Sequence, residues 1–314
     1  MLDLPRVIPR PLFQEHAMRS SPSFRAPLRP PPDTCLQEPV GVDASRASVA
    51  RVHDYSLLGK DNYEVDRAVF TRVLEMAPGQ REVSRMNRRW MHRVVRYLAG
   101  YAGVEQFVDI GAGLPTALNT HEVVQLENRR ATVIYVDNDP VCAAYGRALL
   151  ERNDRTHYVL ADFLEAGTLL KNPDVLQYLE LDRPIGVLVC GLLHHIGDRS
   201  RPARAMRELI ERLPSGSYVA VTNFYDPGSE DPEIHRLARK LEEAFTEGVG
   251  SGWYRTRTEH LEYFEGLELL PPGLVELDDW WPLGRIERDR LPEERTMRGA
   301  VGYKRPALLR FPGA

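Results

Sequence analysis

Apolar residues recur along this chain in two distinct rhythms. Between Arg81 and Ala99, Met86, Trp90, Val94, Tyr97 and Leu98 follow one another at spacings of three and four, which predicts a helix with one buried face. The arginines and histidine between them are read as its solvated side. The preceding stretch, ASVARVHDYSLLGKDNYEVDRAVFTRVLEMAPG, is also helical in pattern, broken near Leu58-Gly59 and ending at Pro78-Gly79. After residue 103 the rhythm changes to short apolar runs separated by helical stretches. EQFVDI, ATVIYVD, THYVLAD, PIGVLVCGLL and GSYVAVTNF are read as strands. Helices are predicted at Thr116–Asn128, Pro140–Arg152, Ala203–Leu213 and from Pro232 to about Glu247. LELLPPGLVEL and GAVGYKRP read as closing strands. Such alternation predicts βαβ units and a largely parallel sheet covered on both faces.

Composition adds boundaries to this picture. The 314 residues are 43% hydrophobic and 27% charged, with a formal net charge of −4. That supports a full core and argues against a nucleic-acid binder. Residues 1–42, with RPPPD at Arg29–Asp33, are proline-rich and aperiodic, and are expected to form a mobile tail, the alternative being a strap folded over the body. MLDLPRVIPRPLFQEH has prolines where a signal peptide needs an unbroken apolar run, and IGVLVCGLL is too short to cross a bilayer. The expectation is a cytoplasmic protein without a membrane partner. Cys35, Cys142 and Cys190 show no CxxC spacing and are read as free thiols, the last two as packing residues.

The chemistry gathers where strands end. FVDIGAGLPT runs from a strand through Asp109 into a Gly111-Ala112-Gly113 turn, while Asp137 ends the second strand and Asp162 the third. In a doubly wound sheet ligands bind beyond the carboxyl ends of the strands. Glycines allow close backbone approach, and an acid can hold both ribose hydroxyls, so a nucleoside is expected. A dinucleotide would want a third glycine where Thr116 stands, and Asp109 would repel its pyrophosphate. S-adenosylmethionine carries an ammonium and a sulfonium and no phosphate, so the same acid is favourable. The competing reading is a glycine turn without a ligand, its acids serving as helix caps.

FVDIGAGLPT, VIYVDNDP, LADF and LPSGSYVAVT resemble an actinobacterial family of S-adenosylmethionine-dependent methyltransferases, formerly a domain of unknown function. ARVHDYSLLGKDNYEVDR is similar to the family's hallmark, roughly Ala-Arg-Val-Tyr-Asp-Tyr-Leu-Leu-Gly-Gly-Lys-Asp-Asn. MNRRWMHRVVRYLA and EYFEGLELLPPGLVEL match as well, so the resemblance spans about Ser48 to Lys304. It departs at His53, where tyrosine is usual, and at Leu58, where the first of two glycines is usual. The resemblance implies a Rossmann-like class I methyltransferase fold with a mostly parallel seven-stranded sheet over 103–310 and an N-terminal helical lid over 43–102. It implies that Gly111, Ala112, Gly113 and Thr116 wrap the methionine moiety, with Asp109 a cofactor-binding acid beside the glycine loop. Asp137 would hold the ribose, Asn138 would lie beside the adenine, and Asp162 and Phe163 would flank the base. Tyr55, Gly59, Lys60 and Asn62 would close over the cofactor.

The implied activity is methyl transfer to oxygen or nitrogen of a small-molecule or peptide acceptor. One alternative is a protein that binds S-adenosylmethionine for regulation, and another is an NAD(P)-dependent dehydrogenase. The acceptor is expected near GLLHHIGD, where His194 is the candidate general base. The competing reading has His194 and His195 finishing a buried strand and bonding the backbone. Asn223, Tyr225 and Asp226 either line the acceptor pocket or form a turn, and Trp280 and Trp281 either stack on an acceptor or pack in the core. No spacing points to a metal site or to a Ser-His-Asp or Cys-His nucleophile.

Overall fold

A computed structural model of the chain describes residues 42–165, 169–281 and 288–306. The segment read as a tail lies, Val42 apart, outside the described residues. Three helices come first: α1 (Val49–Ser56), α2 (Glu64–Met76) and α3 (Gln80–Arg96), the last running into a π-helical turn at Tyr97–Tyr101. The alternating part begins with β1 (Gln106–Ile110), α4 (Thr120–Glu127), β2 (Thr132–Asp137), α5 (Pro140–Leu149) and β3 (Thr156–Leu160). It continues with α6 (Pro173–Leu176), β4 (Gly186–Cys190), α7 (Arg201–Arg212), β5 (Tyr218–Phe224), α8 (Pro232–Val249) and α9 (Arg257–Glu262). The chain closes with β6 (Glu268–Leu269), β7 (Val275–Glu276) and β8 (Met297–Tyr303).

The sheet runs β3-β2-β1-β4-β5-β8-β6, with β7 also on β8. The first five strands are parallel, and β8 is antiparallel to β5. Chain order reverses between β1 and β4, which opens a crevice at their carboxyl ends. Among the described residues eight strands form the sheet where seven are expected. LELLPPGLVEL is not one strand, because Pro271 and Pro272 in its middle have no N–H to give a ladder. The backbone leaves β8 after Leu269, turns through Gly273 N–H to Leu270 O at 2.8 Å, and returns at Val275. The fourth helix also starts later than expected, at Thr120, where the Asn119 amide donates to the Glu122 carboxylate at 2.5 Å.

Strand alternation divides the core. On β1, Phe107 packs with Trp90 and Tyr135 on one face of the sheet, while Val108 and Ile110 pack with Met206 and Leu209 on the other. The α3 stripe is buried as its spacing predicts: Met86, Trp90, Val94, Tyr97 and Leu98 are each at most 8% exposed. Its polar side is not uniformly solvated, however. Arg93 is buried against Asp278 and the Leu277 carbonyl. A third cluster joins Val52 of α1, Phe70 and Val73 of α2, and Leu241 and Phe245 of α8.

Asp66 ties the first two helices together. Its carboxylate is fully buried and accepts from Ser48 N at 2.9 Å, Tyr63 N at 2.8 Å and Arg51 Nε at 2.7 Å. Asp66→Ala strands a buried guanidinium, and the expected cost is about 3 kcal/mol of unfolding free energy, measured by urea denaturation. An unchanged midpoint would mean Arg51 needs no partner.

Leu58 occupies the left-handed region at φ +65°, with its side chain 64% exposed. The backbone there keeps the conformation that glycine favours, and pays in strain for carrying a Cβ. Leu58→Gly is expected to raise stability by about 0.5–1 kcal/mol, the relieved strain less glycine's unfolded-state entropy. A lower melting temperature would contradict this.

Candidate functional site

The crevice at the strand ends is a cleft of about 460 Å³, bounded by the carboxyl ends of the parallel strands, by α1 and by one side of α3. It has three regions, each set by a different local structure.

The first is the turn after β1. Gly111 and Gly113 both have positive φ, +72° and +65°, which glycine adopts without a steric penalty. A Cβ on Gly111 would meet Leu192 at 2.8 Å, whereas one on Gly113 would face open cleft, with only Ala50 at 4.0 Å. The amides of the turn are already committed. Gly111 and Ala112 donate to Val136 O at 2.8 and 3.2 Å, and Gly113 donates to Asp137 Oδ2 at 2.8 Å. Thr116 lies further along the same wall, its amide donating to Asn119 Oδ1 at 2.9 Å.

The second region holds the carboxylates. Asp137 accepts from the Gly113 amide on one oxygen and from the Asp139 amide, at 2.9 Å, on the other. Burial raises its pKa from the ordinary carboxylate value, against the pull of the Asp139 and Gly113 amides. Asn138 and Asp139 stand beside it, and Asp139 caps α5 through the Val141 amide at 2.8 Å. Asp162, two residues beyond β3, accepts from Leu164 N at 2.8 Å, with buried Phe163 next to it. Asp109 is buried beneath the turn and accepts from Thr120 Oγ1 at 2.6 Å. Burial pushes its pKa up to about 6, against the pull of the Thr120 hydroxyl and the Arg88 charge, with a smaller push from Asp137.

The third region is apolar and aromatic. Phe70, Phe224, Phe245, Val249 and Met297 line it, together with His53, His194 and His195. The His194 ring stacks on Phe224 with centroids 3.7 Å apart. Its Nδ1 lies 3.1 Å from Asn223 Oδ1 and accepts from the Phe224 backbone N–H at 3.3 Å. Burial holds its pKa well below the ordinary imidazole value, helped by the neighbouring His195. His195 Nδ1 is 2.8 Å from Ser251 Oγ, and burial lowers its pKa to about 3.

The sequence-predicted residues divide accordingly. Asp109, Gly111, Ala112, Gly113, Thr116, Asp137, Asn138, Asp162, Phe163 and His194 all border the cleft. Tyr55, Gly59, Lys60 and Asn62 do not. Tyr55 packs edge-on to Phe70 beneath the Arg81 guanidinium, Asn62 Nδ2 donates to Asp54 Oδ2 at 2.8 Å, and Lys60 is exposed. The same block instead offers the cleft Ser48, Val49, Ala50, Val52 and His53. Asn223 acts through His194, while Tyr225 and Asp226 turn away from the cleft. Trp280 is buried in the core against Trp90 and Tyr97, and Trp281 packs on Tyr97 at 4.6 Å. Cys190, read as a packing residue, borders the cleft, and burial raises its pKa. No group of metal-ligating side chains occurs among the described residues. Nor, among them, is any helix long and apolar enough to cross a membrane.

Sequence reasoning missed the contribution of α3. Ser84, Asn87, Arg88 and Met91 line the cleft from one side of that helix. Asn87 Oδ1 accepts from Thr222 Oγ1 at 2.7 Å, and Arg88 donates to Leu118 O at 2.8 Å. The available signal is their own three-and-four spacing, a polar stripe beside the apolar one.

The family model described as S-adenosyl methyltransferase matches residues 36–305. A crystal structure from Thermobifida fusca YX, described as that of a methyltransferase, is 37% identical, covers 86% of this chain and 100% of its own, and superposes with a TM-score of 0.80. A DUF574 family protein from Streptomyces avermitilis MA-4680 is 34% identical, with 84% and 99% covered and a TM-score of 0.77. Among curated proteins none matches the chain. A sheet that reverses order above a glycine turn, and a family match across most of the sequence, lead to one assignment: the chain belongs to the S-adenosyl methyltransferase family and is a Rossmann-like class I, S-adenosylmethionine-dependent methyltransferase.

Proposed function

We propose that the cleft binds S-adenosylmethionine along the strand ends and passes its methyl group to a small-molecule or peptide acceptor held among His53, His194, His195 and the phenylalanines. In this reading Asp137 holds the ribose hydroxyls, Asn138, Asp162 and Phe163 border the adenine, and the Gly111–Gly113 turn follows the methionine chain. Asp109 supplies negative charge under the ammonium, and Arg88, absent from the sequence reading, meets the α-carboxylate. α1 covers the bound nucleoside through Ser48, Val49 and Ala50 rather than through Tyr55, Gly59, Lys60 and Asn62.

One observation carries the choice of ligand: the glycine turn has no amide to spare. Its three N–H groups are bonded to Val136 O and to Asp137. A pyrophosphate needs such amides free and a positive helix start nearby, yet here the turn is lined by carboxylates. A cationic, phosphate-free nucleoside fits that donor set, and NAD(P) does not.

Calorimetry with the full chain is expected to detect S-adenosylmethionine and no NADPH. Asp137→Ala removes two hydrogen bonds to a charged acceptor, each worth about 1.5 kcal/mol or more, so affinity is expected to fall about 100-fold. Equal affinity in that variant would overturn the ribose assignment.

Asp109 gives a prediction of opposite sign for stability. Its pKa is raised on folding from 3.8 to about 6, so the stability it contributes is present below pH 4 and lost as pH rises through 6. Asp109→Asn is therefore expected to stabilise the unliganded protein at pH 7.5 by on the order of 2 kcal/mol, with the gain vanishing near pH 4. The same substitution weakens cofactor binding, because the ammonium loses its counter-charge. Denaturant titrations at the two pH values, paired with calorimetry, check both halves.

A further inference from the structure

The end of strand β4 leaves one backbone group without a ladder partner, and the consequence reaches the acceptor. β4 pairs with β5 only as far as Cys190 opposite Thr222. The next bond to β8 is made by Tyr225 N–H, to Thr296 O, so in the alternating antiparallel pattern the Phe224 N–H points to the side β4 has vacated. His194 fills that place, and its Nδ1 accepts the amide at 3.3 Å. A backbone N–H cannot be reversed, so Nδ1 must present a lone pair. Asn223 Oδ1 stands 3.1 Å from that Nδ1, and Nδ2 stands 3.2 Å from His260 Nε2 and 3.4 Å from Phe224 O. Two lone pairs cannot face each other, so the amide is read as turned by 180°, with its NH2 to His194 Nδ1 and its oxygen to His260 Nε2. This orientation also suits His260, whose Nε2–H donates to Phe224 O at 3.1 Å. The opposite orientation would set a lone pair of His260 against that carbonyl.

We infer that His194 is held as the neutral tautomer with its proton on Nε2, and that it offers the acceptor a hydrogen-bond donor rather than a base. The inference rests on the reading that the acceptor sits at this end of the cleft, and it replaces the general-base role expected from the sequence. Among the described residues Nε2 has no protein partner; Phe224 stacks on one face of the ring, and the His195 ring lies tilted at 58° beside it. A donor without a base selects an acceptor oxygen that is already ionised at neutral pH. It must also have lone pairs for both His194 and the methyl carbon. A carboxylate meets both demands. An ammonium has no lone pair, and a phenol would have to lose a proton to an imidazole whose basicity burial has weakened.

The surroundings favour the same charge. Arg255 is fully buried, donates to Ile196 O, and has no carboxylate within ion-pair distance among the described residues. Its charge reaches His194. The walls are Phe70, Phe245, Val249 and Met297, which suit an apolar body. The acceptor class is therefore an apolar carboxylic acid, and the product its methyl ester. One carboxylate lone pair forms the O–C bond as the S–C bond breaks, its electron pair returns to sulfur, and no proton moves.

Two measurements on the full chain test this. In the first, long-range 15N–1H correlation on 15N-histidine-labelled protein at pH 7, assigned with His194→Gln, is expected to show Nδ1 bare and Nε2 protonated. A proton on Nδ1 overturns the inference, and this readout needs no cofactor. In the second, 2-naphthoate, 2-naphthol and 2-naphthylamine are titrated into the protein saturated with S-adenosylhomocysteine. Naphthoate is expected to bind at least tenfold tighter than the other two, with the preference lost in His194→Ala and partly restored in His194→Gln, which keeps a donor. No preference, including no binding of any probe, overturns the acceptor class. Failure of S-adenosylhomocysteine itself to bind would instead remove the cofactor reading and leave the tautomer result standing.

Discussion

The bond from the Gly113 amide to the Asp137 carboxylate organises this molecule. It ties the turn after β1 to the end of β2, and so fixes how the crevice opens. It commits the last free amide of the turn, which removes the phosphate cradle that a glycine-rich turn otherwise provides. It also holds one carboxylate oxygen while the Asp139 amide holds the other, leaving the remaining lone pairs facing the cleft. Negative charge concentrated here is costly without a ligand: burial raises the pKa of both Asp137 and Asp109. A cationic ligand recovers that cost, and the unliganded site stores it.

Helix α3 joins that site to the core. Trp90, Met86 and Val94 anchor it under the sheet, and Arg93 fastens it to Asp278 and the Leu277 carbonyl. The adjacent side of the same helix delivers Asn87 to Thr222 on β5 and Arg88 to the loop at Leu118. Packing energy on one side thus fixes the polar groups on the other to within hydrogen-bonding tolerance. The first two helices are tied to each other by the buried carboxylate of Asp66 and packed against α8 through Val52, Phe70 and Val73.

What the sequence made legible was what depends on neighbours in the chain. The strands, the glycine turn and the acids at strand ends follow from local pattern, and Asp137 lies where its position at the end of a β-branched run predicts. The split of LELLPPGLVEL was readable too, since two prolines stand in its middle, but the helix start at Thr120 needed the Asn119–Glu122 cap to be recognised. Other features depend on residues far apart in sequence. Phe245 and Met297 meet His194 only because α8 and β8 return to β5. The four residues of the N-terminal block expected over the cofactor lie off the cleft because α1 turns Ser48, Ala50 and His53 toward it instead. The His194 tautomer depends on where β4 stops relative to β5, a register that no local pattern encodes.

Charge also divides the cleft, and the division bears on rate. Asp109, Asp137, Asp139 and Asp162 line the proposed nucleoside half, and Asp54 of α1 turns its carboxylate to the Asp61 amide and the Asn62 side chain. The other half presents neutral imidazoles and hydrocarbon. A sulfonium meeting a carboxylate reacts to a thioether and an ester, so two opposite charges disappear along the reaction coordinate. Water solvates separated charges better than it solvates the transition state that is losing them, and an apolar wall withholds that solvation. A neutral amine acceptor would instead pass positive charge to nitrogen, and Phe70, Phe245 and Met297 offer little to stabilise it, while the buried Arg255 opposes it. On the proposed acceptor reading, the apolar half of the cleft favours transfer to an anionic oxygen over a neutral nitrogen, through the same desolvation that keeps His194 uncharged.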